Sequence, residues 1–78
     1  MMNNTATTLD IMVFATGVTS VEQANIILEK LLLHDGVKQA NFDMEDVDNI
    51  LRVVSSGITE REVEQILLQQ RLWCRTLA

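Results

Sequence analysis

The chain has 78 residues, a formal net charge of -5 from 6 Lys and Arg against 11 Asp and Glu, 47 % hydrophobic and 22 % charged residues, and no proline. That length holds one compact domain with a modest core, the composition is globular rather than disordered, and the acidic balance without a basic stripe argues against nucleic acid as a partner. No apolar run approaches the ~20 residues that span a bilayer, Met1 to Thr5 carry no basic residue, and the single Cys74 fits a reducing compartment, so a cytoplasmic chain with no membrane partner is expected.

Residues 1–8 are polar and threonine-rich, without periodicity, and read as a loose leader; residues 9–78 read as one domain. Leu9 to Thr16 is expected as a strand. Leu9, Ile11, Val13 and Ala15 form one face, and Asp10, Met12, Phe14 and Thr16 form the other, so the strand is apolar on both sides, as an interior strand is. Thr19 with Glu22, and equally Ser20 with Gln23, spell a capping box that opens a helix to about His34. Its buried stripe is Val21, Ala24, Leu28 and Leu31, flanked by Ile27 and Leu32. Asp35-Gly36 stops it, with Gly36 expected in the left-handed conformation.

Val37 to Phe42 is a second strand with Val37, Ala40 and Phe42 as its apolar positions. The acidic run Asp43 to Asn49 reads as a hairpin loop, and Ile50 to Val54 is β-branched and strand-like. Ser55-Ser56-Gly57 breaks the pattern, after which Thr59 and Glu62 form another capping box. The helix they open carries Val63, Ile66 and Leu67 inward and ends near Arg71; Leu72 to Leu77 makes a last strand. The order β-α-β-β-α-β predicts an α+β ferredoxin-like sandwich, with two crossover helices on one face of a four-stranded antiparallel sheet.

The segment Thr16-Gly17-Val18-Thr19-Ser20-Val21-Glu22-Gln23, between a strand and a helix, resembles the loop of heavy-metal-associated domains, the fold of copper chaperones, where the pattern is Gly-Met-Thr-Cys-x-x-Cys. Gly36-Val37, Asn41-Phe42-Asp43 and Leu72-Trp73-Cys74 extend the resemblance over nearly all of Leu9 to Leu77. It places the loop methionine on Val18 and the paired cysteines on Ser20 and Gln23. A soft cation favours polarisable thiolates, which neither a serine hydroxyl nor a glutamine amide replaces, and zinc wants about four ligands where the loop offers only the carboxylate of Glu22. What the resemblance implies is a degenerate domain with its metal site lost and no cofactor.

The remaining candidates read as structural. His34, without a partner carboxylate or cysteine at ligand spacing, suits the end of the first helix; Cys74 alternates toward the helices as a small hydrophobe; and Asp43, Glu45, Asp46 and Asp48 lack the glycine and distal glutamate of a calcium loop. Gly17 and Gly57 are turn residues, and no catalytic constellation can be assembled, so no enzyme is expected.

If Leu9, Ile11, Val13 and Ala15 face the helices, then Met12, Phe14, Ile50, Val54, Trp73 and Leu77 share the uncovered side of the sheet, with Arg52 and Arg75 as polar members. A contiguous exposed apolar patch with a tryptophan marks a protein interface. A one-residue change of register, or a leader folded back, would undo that assignment. The sequence therefore points to protein association, most simply as a homodimer through this face. The alternatives are a weak metal carrier, using loop oxygens or Cys74 with methionines of two chains, and a small-ligand-sensing regulatory domain of the same plait.

Overall fold

The computed structural model describes residues 9–77; the leader expected at residues 1–8 lies outside them. The elements follow in the expected order: β1 (Asp10–Thr16), α1 (Val21–Leu32), β2 (Val37–Asp43), β3 (Ile50–Ser55), α2 (Glu60–Gln69) and β4 (Cys74–Thr76). The strands form an antiparallel sheet in the order β2-β3-β1-β4, the arrangement of the ferredoxin-like sandwich. The elements are shorter than the sequence pattern at several ends, chiefly β4, which begins at Cys74 rather than Leu72.

One core joins the inner stripes of both helices, Ala24, Ile27 and Leu31 of α1 with Val63 and Leu67 of α2, to Phe14, Leu51, Val53 and Val37 of the sheet. Burying each such aliphatic or aromatic side chain contributes ~1.5–3 kcal/mol. In β2, Val37, Ala40 and Phe42 reach this face despite their uneven spacing, because the pairing shifts between Val37 and Gln39 and the bulge absorbs one residue.

The faces of β1 are the reverse of those expected. Phe14 is 0 % exposed within the core, Met12 packs against it, and Ile11 on the other side is 69 % exposed. Pairing explains the outcome: Phe14 stands between Leu51 of β3 and Thr76 of β4, and Met12 opposite Val53, so they share the face of the helix-covered residues of the neighbouring strands. Parity then carries Ile11, Val13 and Ala15 to the open side.

The termini of the helices follow local chemistry. Thr59 and Glu62 make the full capping box, with the Thr59 hydroxyl accepting from the Glu62 N–H at 3.1 Å and Glu62 accepting from the Thr59 N–H at 2.9 Å. The helix closes with the Leu72 N–H on the Leu67 carbonyl and the Arg71 N–H on the Leu68 carbonyl, a Schellman motif in which Arg71, at φ 61°, takes the left-handed position usually held by glycine. Gly36, expected in that role after α1, has no positive φ. It is needed for close approach instead, since a Cβ there would stand 2.9 Å from the Ile58 backbone nitrogen.

Candidate functional site

The β1–α1 loop is held from its first residue. Buried Thr16 donates through its hydroxyl to the Asn49 carbonyl at 2.7 Å and accepts from the Val18 N–H at 3.2 Å, while its own N–H donates to the Asp48 carbonyl at 3.1 Å. These bonds tie the exit of β1 to the entry of β3, and they leave Val18 pointing into the core, where it is fully buried. Ser20 caps α1, its hydroxyl accepting from the Gln23 N–H at 3.1 Å, and Gln23 folds back so that its amide oxygen accepts from the Thr19 N–H at 2.8 Å and the Thr19 hydroxyl at 3.3 Å. The box is thus offset by one residue, with Ser20 as cap and Gln23 serving Thr19.

At both positions where the resemblance places a thiolate, the side-chain oxygen is committed to the start of the helix. Neutral hard oxygens of this kind do not fit a soft monovalent cation. Among the described residues no group of three or more His, Cys, Asp and Glu side chains could hold a metal ion.

Trp73 lies beside this loop. Its carbonyl accepts from the Gly17 N–H at 2.9 Å, and a Cβ added to Gly17 would collide with the indole nitrogen. The indole therefore occupies the space that a side chain at Gly17 would fill, an aromatic cover over the glycine that follows β1. Trp73 remains 57 % exposed.

His34 has a partner that sequence spacing concealed. Its Nδ1 accepts from the Gly36 N–H at 3.0 Å, which assigns the neutral ring proton to Nε2, and that nitrogen donates to Glu62 Oε2 at 3.1 Å. Glu62 stands 28 residues further on, in the first turn of α2, so only folding brings the pair together. The Thr59 backbone N–H, then His34 and the Thr59 hydroxyl, hold the Glu62 carboxyl below its ordinary range. Cys74 packs against the core as expected, and burial, with Glu64 adding to it, pushes its thiol up to about 11, far from the thiolate that metal binding needs.

On the open side, the registers set the side chains in rows. Asp43 opposes Ile50 and Ala15 opposes Arg75; because Phe14 pairs with Leu51, Ile50 and Ala15 are neighbours, and the row reads Asp43, Ile50, Ala15, Arg75. The next row is Asn41, Arg52, Val13 and Leu77, the last joined to β1 by its N–H on the Val13 carbonyl, and beyond it come Gln39, Val54 and Ile11. Of the residues expected here, Val54, Arg52, Arg75 and Leu77 do lie on this side, as does Ile50, which is buried but outside the core cluster. Trp73 sits at the rim over Gly17, and Met12 and Phe14 belong to the core. Ile11 and Val13 replace them; the available signal was the apolar alternation on both sides of β1.

Solved structures similar to this chain include copper-binding domains. The yeast copper transporter domain Ccc2a, solved in the apo and Cu(I) load states, superposes with a TM-score of 0.75 at 22 % identity over 86 % of this chain and 93 % of that one. The chain has the heavy-metal-associated fold. A putative copper-ion-binding protein from Bacillus anthracis shares that fold at a TM-score of 0.76 and 12 % identity, covering 90 % of this chain and 100 % of the other. The Atx1-Cu(I)-Ccc2a complex matches at 0.76 and 21 % identity, over 87 % and 94 %. No family model and no curated protein matches the sequence. Within the heavy-metal-associated fold, a lone cysteine, placed on β4 rather than in the loop, fits a degenerate metal site. No described helix is long and apolar enough to cross a membrane.

Proposed function

We propose that this chain is a non-catalytic association domain, a heavy-metal-associated scaffold that has lost its soft-metal loop and binds protein, namely a second copy of itself, through the open face of its sheet in the cytoplasm. The observation that carries the reading is Ile11, 69 % exposed on a strand whose other face fills the core, with Val54 opposite it and Leu77 on the same side. An apolar group of this kind, with Trp73 at one end and Arg52 and Arg75 around it, has the composition of an interface centre and rim. The commitment of the Ser20 and Gln23 oxygens to helix capping supports the loss of cargo binding.

Sedimentation of the wild type beside Ile11→Glu tests the association. The wild type is expected to dimerise with rising concentration and the variant to stay monomeric; a wild type that is monomeric up to millimolar concentration refutes the reading. Copper(I) titration under a thiol buffer tests the lost loop, and binding tight enough to compete with the buffer overturns it. The weak-carrier alternative through Cys74 is disfavoured by its raised pKa and its packing against the core.

A further inference from the structure

The row nearest the loop is acidic at one edge and basic at the other: Asp43 on β2, apolar Ile50 and Ala15 on the central strands, Arg75 on β4. Neither Asp43 nor Arg75 takes part in a salt bridge among the described residues. Asp43 Oδ1 accepts from the Glu45 N–H at 3.1 Å, which fixes the carboxylate and leaves Oδ2 to a further partner. About three strand spacings, ~14 Å, separate the two edges, too far for the charges to meet within one chain.

From this arrangement we infer that two copies pack open face to open face about a two-fold axis parallel to the strands, with Asp43 of each against Arg75 of the partner subunit. Such an axis passes between β3 and β1, the central strands in the order β2-β3-β1-β4, and exchanges β2 with β4 and β3 with β1. The acid–apolar–apolar–base row then lies over its own reverse, so both edges are neutralised by one operation. The same axis places exposed Ile11 over Val54 of the partner subunit, joining apolar to apolar, while in the middle row Arg52 lies over Val13 of the partner subunit; Ile50 and Ala15 are already buried within each copy and lie beneath the charged pairs. An axis across the strands would instead set β2 over β2 and β4 over β4, so that Asp43 could not meet Arg75 of the partner subunit. Facing sheets pack ~10 Å apart, within reach of an arginine meeting an aspartate. By these spacings the face is about 19 Å wide and about 20 Å long, roughly 400 Å² per copy and below the ~1,200 Å² total of standard interfaces, so a weak, transient dimer is expected.

This inference rests on the association reading above, and the experiment separates the two. Sedimentation equilibrium in low and high salt compares wild type, Asp43→Arg, Arg75→Asp and the double exchange, with circular dichroism melts confirming that each is folded. Asp43→Asn, which keeps an oxygen for the Glu45 N–H, serves if Asp43→Arg unfolds the hairpin. Each single exchange is expected to weaken dimerisation at least tenfold, the double exchange to restore it to within a few-fold, and salt to weaken the wild type. If the wild type dimerises and Ile11→Glu abolishes it while the single exchanges leave it unchanged, or the double exchange fails to restore it, the pairing is overturned and association through the face stands. A wild type that never dimerises overturns both.

Discussion

Replacing Phe14 with alanine is the sharpest test of how β1 is oriented. The ring is 0 % exposed among Leu51, Val53 and the inner stripes of both helices, so truncation removes the whole buried area of a phenylalanine. At ~25 cal/mol per Å² over the ~150 Å² or more that such a ring buries, the transfer loss alone is about 4 kcal/mol, in line with the ~3–5 kcal/mol found when buried aromatic residues are truncated. A domain of this length has roughly 4–12 kcal/mol to lose, so Phe14→Ala is expected to sit near the edge of folding. Ile11→Ala, at a site 69 % exposed, is expected to cost less than ~1 kcal/mol. Urea unfolding followed by circular dichroism, run below the concentration of any dimer, compares the two midpoints; with a slope of ~1–2 kcal/mol per molar, Phe14→Ala should lower the midpoint by ~2 M or more. A large loss at Ile11 with a small one at Phe14 would restore the opposite orientation of the strand and dissolve the open-face argument.

Other expectations follow from single residues. The Ser55 hydroxyl is fully buried with no hydrogen-bond partner among the described residues, so Ser55→Ala should stabilise by ~1 kcal/mol and raise the Tm by about 4–8 °C; an unchanged or lower Tm indicates a partner for that hydroxyl. Arg71→Gly relieves a left-handed arginine but frees the unfolded chain, for a net gain of up to ~1 kcal/mol in the same melts, and a loss would show that the arginine side chain contributes more than its backbone costs. Because the Glu62 carboxyl is held below its unfolded value of 4.5, its contribution is present above that pH and is lost as pH falls through the folded value. Glu62→Gln should therefore flatten the acid limb of a stability–pH profile below about pH 4.5, whereas an unaltered limb would mean that the Thr59 and His34 bonds carry no linkage.

Local chemistry was legible in the sequence. The Thr59 and Glu62 box is complete and Ser20 starts α1, because capping needs only residues a few positions apart. The element order, and with it the fold, follows from these starts and from the apolar periodicities between them. The orientation of β1 was not legible for a definite reason: with Met12 and Phe14 on one side and Ile11 and Val13 on the other, alternation alone is symmetric. Pairing with Leu51, Val53 and Thr76 broke that symmetry, and those partners lie far along the chain. Gly36 was misread through the frequency of left-handed glycines after helices, when its role is to let the α1–β2 turn touch the Gly57–Ile58 backbone. His34 and Glu62 illustrate the same limit, for their contact depends on how the helices sit together.

The indole laid over Gly17 has an optical consequence. With one tryptophan and no tyrosine in the chain, nearly all its ultraviolet emission originates at the junction of the β1–α1 loop and the margin of the sheet. Intrinsic fluorescence is thus a local reporter rather than a global average: its wavelength and quenching read out the hydration of that junction, without any label, whenever the loop loosens or another surface settles beside it.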